Sequence, residues 1–481
     1  MNFAIVRYLI GWMLGIESIF LLLPALTAVI YGEPELPAYL IAAAISLAGA
    51  ALLCHRKPKN TRFYAREGYV TVALCWLILA VIGALPFVLS REIPFFIDAL
   101  FETVSGFTTT GATILGDVEA LSHASMLWRC LTHWVGGMGV LVFMLIVLPL
   151  AGGQTIFLMR AESPGPSVSK MSPHMRDTAT ILYAIYFGLT VLQMILLLIG
   201  GMPLFDAICV SLGTAGTGGF GNWNDSIAHY NSAYLQNVIT VFMILFGINF
   251  SAYFLILTRK FRQAFRIEEI RVYLGVIFVF AGLIAFNVRP MFGSLRESFH
   301  HALFQVASII TTTGFSTVDF DRWPTFSRAL LVLLMFIGAC AGSTGGGIKC
   351  SRILLLGKSV KKEMMCLIHP RLVRVNKMDG QRVPHEVMRS INVFVVAYAF
   401  IFILSLLIIS LNCEDLVTCF TSVATTLNNV GPGLSLCGPT CNFGFFPPLS
   451  KGVLIFDMLA GRLELFPMLL LFTPGTWQRN K

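Results

Sequence analysis

Four short stretches of this chain carry threonine, asparagine and glycine in a repeated order, and such residues offer neutral oxygens to a cation. The stretches are Thr108-Thr109-Thr110-Gly111, Gly216-Thr217-Gly218-Gly219, Thr311-Thr312-Thr313-Gly314 and Asn428-Asn429-Val430-Gly431. Each closes a longer phrase, opened by Asp98-Ala99-Leu100, Asp206-Ala207-Ile208, His301-Ala302-Leu303 and Thr418-Cys419-Phe420. Every final glycine falls 13 positions after the first residue of its opening. Glycine adopts positive φ without steric cost, so such a strand can turn successive carbonyls toward one axis. Rings of carbonyls replace an ion's hydration shell in potassium-selective pores, and threonine hydroxyls add oxygens at the inner end. No Asp, Glu or His occurs in the four stretches, which disfavours tight divalent binding. One such stretch would indicate only small residues packing helices closely. Four at a single spacing point to four quarters of a cation pore. The candidate ligands are Thr109, Thr110, Gly111, Thr217, Gly218, Gly219, Thr312, Thr313, Gly314, Asn429, Val430 and Gly431.

The elements that position them are membrane helices. Of 481 residues, 56% are hydrophobic and 12% charged, too little charge to cover a soluble protein of this size. Apolar runs predict ten crossing helices at about 5–30, 37–54, 69–90, 126–150, 179–200, 234–258, 272–289, 327–356, 391–411 and 450–473. Shorter apolar segments at about 96–108, 203–215, 296–310 and 415–427 precede the Thr/Gly stretches. They are too short to cross, and half-membrane re-entrant helices fit them. Pro94, Pro203 and Pro290 stand before three of them, where proline breaks the preceding structure. Irregular backbone at membrane depth is tolerated only inside protein or along a watery cavity. The expected fold is therefore an all-α polytopic membrane protein. Four pseudo-symmetric helix–pore helix–helix units (69–153, 178–258, 271–357 and 390–473) surround a central pore, after an N-terminal helix pair (1–55).

The net charge is +9. Segments 56–68, 154–177, 259–271, 357–390 and 474–481 hold 23 of the 34 Lys and Arg residues. All five fall on one face if the chain crosses ten times, and the positive-inside rule makes that face cytoplasmic, with both termini. Membrane orientation accounts for the basicity, and a nucleic-acid partner is not needed.

The second helix of the third unit contains Gly338, Gly342 and the run Gly345-Gly346-Gly347-Ile348-Lys349. Each interior glycine costs a helix roughly 0.8–1 kcal/mol relative to alanine. The run predicts a break below the pore ligands, readable as a mobile gate or as a close helix crossing. Two roles stand open for Lys349, holding the gate's carbonyls or snorkelling to the surface. Arg462, in the middle of the last span, is a functional candidate because an ionisable residue there is costly. It would oppose a cation beneath the ligands, pair with Glu464, or do both. Arg7 and Glu17 in the first span suggest peripheral packing or headgroup contacts. Arg129 and His133, flanked by Trp128 and Trp134, suggest an interfacial belt, with His133 structural. Asp98, Glu102 and Asp206 begin short helices, where capping is the expected role of Asp98 and Asp206. Cys437 and Cys441 either close a small outer disulfide or remain free thiols. P-loop, dinucleotide and HExxH zinc motifs are absent.

The four units, the Thr-Thr-Gly stretches and the glycine-rich break resemble the Trk/Ktr/HKT superfamily of potassium transporters. The added N-terminal pair is most similar to its TrkH/TrkG branch. The resemblance spans nearly the whole chain and implies potassium uptake across a bacterial plasma (inner) membrane. It implies one filter glycine per quarter, namely Gly111, Gly219, Gly314 and Gly431, with a gate at Gly342, Gly345, Gly346, Gly347 and Lys349 and an arginine near the pore at Arg462. A serine in the first quarter marks the sodium-selective plant relatives, whereas this chain has glycine. The fourth quarter, Asn-Asn-Val-Gly, departs most. The resemblance further implies a homodimer governed by a cytosolic ring of Rossmann-type, TrkA-like nucleotide-binding subunits, with Lys358–Arg389 as a docking surface or a lipid contact. Potassium is the expected cargo, and no organic cofactor is expected. Channel-like flow and symport with sodium or protons are both compatible with the residues. A membrane enzyme would need a convergent catalytic set, which His133, Asp98 and Glu464 do not form by spacing, and a non-conducting sensor is the remaining alternative.

Overall fold

Two apolar helices open the chain, α1 (Phe3–Tyr31) and α2 (Leu36–Cys54). They approach closely because small residues line the contact. A Cβ on Gly11 would lie 2.6 Å from Cys54 Sγ, and Ser46 Oγ donates to Leu14 O at 2.8 Å. This computed structural model describes residues 1–58, 64–137, 139, 175–371 and 375–478. The basic segment 154–177 and the later half of the expected 126–150 span fall largely outside them.

The first unit consists of α3 (Ala65–Ser90), α4 (Phe96–Phe107) and α5 (His123–Gly137). The second has α6 (Met175–Ile199), α7 (Leu204–Gly216), α8 (Ala233–Phe246) and α9 (Phe250–Leu257). The third has α10 (Glu268–Val288), α11 (Leu295–Ile310), α12 (Thr325–Phe336) and α13 (Cys350–Ile368). A hairpin of β1 (Lys377–Met378) and β2 (Gln381–Arg382) follows, a small exception to the all-α expectation. The fourth unit has α14 (His385–Ser410), α15 (Leu416–Leu427), α16 (Pro448–Arg462) and α17 (Phe466–Leu471).

Large apolar side chains such as Leu26 and Val396 stand exposed on the outer faces, where acyl chains would cover them. The short helices α4, α7, α11 and α15 are by contrast mostly buried. Their 12 to 16 residues rise only about 18–24 Å. Two start with side-chain caps. Ser294 accepts from Glu297 N at 3.2 Å while Glu297 Oε2 accepts from Gly293 N at 3.2 Å, a capping box displaced by one residue. Asp415 accepts from Val417 N and Thr418 N on α15.

Capping by Asp98 and Asp206 is not found, since α4 and α7 carry no side-chain cap. Asp98 instead pairs with Lys451 at 2.6 Å. Asp206 accepts from Asn222 Nδ2 at 2.7 Å and Tyr230 Oη at 2.6 Å. Partners from distant chain positions outcompete the local cap.

The expected spans also change. Six described helices are long and apolar enough to cross a membrane. The expected span 234–258 is bent by 93° between α8 and α9, where Asn249 caps α9 by accepting from Ser251 N at 2.8 Å. The last span breaks at Leu463–Leu465, with Glu464 and Leu465 at φ of 57° and 68°. Among the described residues, interrupted helices therefore occur in the second and fourth quarters as well as in the third. All eleven cysteines are free thiols, Cys437 and Cys441 included.

Candidate functional site

Each short helix ends in the same backbone knot. Thr109, Thr217, Thr312 and Asn429 adopt left-handed φ of 55°, 54°, 58° and 55°. Their N–H groups reach back three residues, to Gly106, Thr214, Ile309 and Thr426 carbonyls. The next N–H reaches back five, from Thr110 to Ser105 at 2.9 Å, Gly218 to Gly213 at 2.9 Å, Thr313 to Ser308 at 2.8 Å and Val430 to Thr425 at 2.8 Å. This is the Schellman ending, whose left-handed residue is usually glycine. Threonine there is strained by about 1–3 kcal/mol, so surrounding contacts must hold it. The sequence pattern marked only the glycines for positive φ, and the asparagine, which tolerates this region, was the single local clue to the rest.

Two residues later the glycines turn left-handed again, with φ of 80° at Gly111, 81° at Gly219, 85° at Gly314 and 97° at Gly431. A Cβ on Gly111 would strike Gly218 O, and one on Gly219 would strike Thr313 O. A Cβ on Gly314 would lie 2.5 Å from Val430 O, and one on Gly431 would lie 2.6 Å from Thr110 O. Each quarter thus abuts the next and the fourth abuts the first, closing a ring. All four glycines also line a single open mouth of about 760 Å³, its solvent-open side included. Every quarter of the sequence-predicted ligand set is brought together here.

Side chains brace the ring from behind. Thr108 and Thr110 hydroxyls share a bond of 2.8 Å, and Thr311 and Thr313 one of 2.7 Å. The divergent fourth quarter uses its amides instead. Asn429 Nδ2 donates to Thr110 Oγ1 at 3.0 Å and Met458 O at 2.9 Å, and Asn428 Nδ2 donates to Tyr398 Oη at 2.7 Å. In the second quarter Gly218 lies against the buried His133 ring. His133 Nδ1 donates to Gly106 O at 2.7 Å and Nε2 accepts from Phe220 N at 3.1 Å. Those partners assign the neutral Nδ1–H tautomer and make it a strut between units one and two. The expected interfacial belt is not there, because Trp128 and Arg129 are buried. Arg129 Nε pairs with Glu102 Oε1 at 2.8 Å, and Glu102 Oε2 accepts from Ile114 N at 3.0 Å.

The break between α12 and α13 is a loop folded against the ring on the side away from the mouth. Gly346 N donates to Thr312 Oγ1 at 2.7 Å, and a Cβ on Gly346 would lie 2.8 Å from Asn428 O. Its neck is closed by Gly338 N to Ile348 O at 2.7 Å and Cys350 N to Ala339 O at 3.1 Å. Glu269 Oε1 accepts from both Ala341 N (2.7 Å) and Ser351 N (2.9 Å), clasping the two ends. The break in unit two touches it as well, with Phe250 N on Gly342 O at 3.0 Å and Cys340 N on Gly247 O at 3.1 Å.

Lys349 is buried and turns inward, its Nζ donating to Gly345 O and, at 3.4 Å, to Gly346 O. Arg462 donates to Thr344 O and to Gly136 O, each at 2.8 Å. Glu464 is paired with Arg352, not with Arg462. Glu269 was missed because it sits at the edge of an expected span, where acids are common.

Four re-entrant helices whose ends close a glycine ring, with a folded loop behind it, define a membrane protein of the four-quarter, pore-forming cation-transport class. The chain belongs to the TrkH family of cation transport proteins, whose sequence profile matches residues 37–478. It is 38% identical to the Trk system potassium uptake protein TrkH of Salmonella typhimurium, covering 99% of this chain and 100% of that one. It is 33% identical to TrkG of Escherichia coli over 98% of each chain. Its fold superposes on the crystal structure of the potassium transporter TrkH from Vibrio parahaemolyticus with a TM-score of 0.89 at 32% identity. That match covers 99% of this chain and 100% of the other.

Proposed function

We propose that this chain takes up potassium across a bacterial plasma membrane through the glycine ring, and that it is a transporter rather than an enzyme. The observation that carries the proposal is ring closure, since four quarters each bar a Cβ from their neighbour. A ring of neutral carbonyls suits a monovalent cation that must leave as readily as it arrives. The short helices add the negative ends of their dipoles. The relatives' names as potassium uptake proteins support the choice of ion.

Residues 109–111, 217–219, 312–314 and 429–431 act as the filter in this reading. The loop carrying Gly342, Gly345, Gly346, Gly347 and Lys349 acts as the gate, because it stands against Thr312 and Asn428 where an ion would emerge. Arg462 adds positive charge there and steadies the closed loop through Thr344 O. The termini and the basic loops face the cytosol. A Rossmann-type, TrkA-like nucleotide-binding subunit meets this face and a homodimer forms, as the family resemblance implies.

Rubidium uptake into proteoliposomes with sodium competition tests the proposal. Saturable uptake that sodium competes for poorly is expected, and absence of flux with the regulatory subunit present overturns it. Reversal potentials at varied sodium and pH separate channel-like flow from symport.

A further inference from the structure

On the basic face, α13, the β1–β2 hairpin and the start of α14 enclose a second pocket that the pore does not use. Its volume is about 870 Å³ with the open side included. Three walls supply cations to it, Lys362 from α13, Arg382 from β2 and Arg389 from α14, with His385 beside them. Glu363 is the one carboxylate among its described lining residues, and it already pairs with Lys362 at 3.6 Å.

The pocket is preformed because the hairpin is tied down at three points. Asn376 Nδ2 donates to Ser359 Oγ at 3.1 Å. Lys358 Nζ donates to Lys377 O at 2.8 Å while also pairing with Glu268. Glu268 N donates to Asp379 Oδ1 at 2.7 Å. Leading away from the pocket along the outer side of α14, Val393, Val396 and Phe400 are 48%, 70% and 68% exposed. Their spacing of three and four residues forms one apolar strip, continuous with the pocket through Val393.

We propose that this pocket binds the phosphate headgroup of an anionic phospholipid, with its acyl chains lying along Val393, Val396 and Phe400. Arginine holds phosphate oxygens through paired N–H donors, and basic pockets between membrane helices suit phosphate headgroups. A free phosphate would satisfy Arg382 and Arg389 equally well, but the pocket opens through Val393 onto the lipid-facing strip of α14, where a headgroup can bind while its acyl chains stay among their own kind, and that continuity selects the lipid. Bound there, the lipid joins the third unit to the fourth at the base of α13, the helix that follows the pore-side loop.

The test is native mass spectrometry of the full chain in detergent, with phosphatidylglycerol or phosphatidylcholine added. Retention of phosphatidylglycerol over phosphatidylcholine is expected, undiminished by millimolar inorganic phosphate. Each of the two arginines would hold the phosphate through its own N–H donors. The double variant Arg382→Gln/Arg389→Gln should therefore weaken retention about thirtyfold, which is about 2 kcal/mol. Lys361→Gln, exposed on α13 outside the pocket, should leave retention unchanged. Unfolding temperatures matching the parent keep the comparison free of folding defects. Equal retention of both lipids, displacement by phosphate, an unchanged double variant, or an equal loss in Lys361→Gln overturns the proposal.

Discussion

Replacing Gly111 with serine should weaken discrimination between potassium and sodium, and the geometry sets the scale. Gly111 has φ of 80°, a region that costs an L-residue about 1–2 kcal/mol. The new Cβ would also overlap Gly218 O, which must retreat by roughly 1 Å or more to reach ordinary contact. That carbonyl belongs to the next quarter of the ring, so the damage passes to the surface that faces the ion. Loss of about 1.4 kcal/mol of differential binding is tenfold in selectivity, and a drop of about that size is expected. The assay is rubidium uptake with sodium competition, backed by reversal potentials under paired gradients. Gly116→Ser is the internal control, since a Cβ there meets nothing within 4 Å although the residue lines the same mouth. Unchanged selectivity in Gly111→Ser, or an equal loss in Gly116→Ser, refutes the assignment of the ring as filter.

Deleting Gly345–Gly347 should raise basal rubidium flux, because it removes the segment bonded to Thr312 and lying against Asn428; folded protein with parental flux would sink the gate. Glu269→Ala leaves the N–H groups of Ala341 and Ser351 without their acceptor, at about 1–3 kcal/mol each, whereas Glu269→Gln retains a carbonyl acceptor. A lower unfolding temperature is expected for alanine than for glutamine, and equal values would argue against the clasp. Bonds from the side chains of Thr418 and Ser435 hold the Asp415 carboxyl down at about 2, below its ordinary 3.8. Because the folded value is depressed, the resulting stability is present above about pH 4 and is lost as pH falls toward 2. Asp415→Asn should flatten thermal stability across that window, and a variant that keeps the parental slope would assign the slope to other groups.

The four short helices were legible to within one or two residues, because an apolar run too short for a bilayer, ending in Thr and Gly, has few other solutions. The glycine-run break was legible for the same reason of local chemistry. The bend between α8 and α9 was not, since Gly247-Ile248-Asn249 lies inside an apolar span that periodicity reads as continuous. Its 93° turn is stabilised by Phe250 N on Gly342 O, a partner from another unit. The roles of Asp98 and Asp206 failed likewise, because Lys451 is 353 positions from Asp98 and Tyr230 reaches Asp206 from beyond the ring.

What the sequence determined by itself was the membrane class, the fourfold repeat and the glycine that each quarter sets at one matched spacing. These follow from composition, length and backbone sterics, which act locally. Tertiary structure alone decided that each glycine is barred by its neighbour's carbonyl. It also decided that threonine adopts a glycine's conformation at three of the four helix ends, and that Glu269, Lys349 and Arg462 hold the loop from three different helices or their edges. Those outcomes depend on which distant groups meet in a buried space, where an unpaired donor or carbonyl costs as much as local strain does.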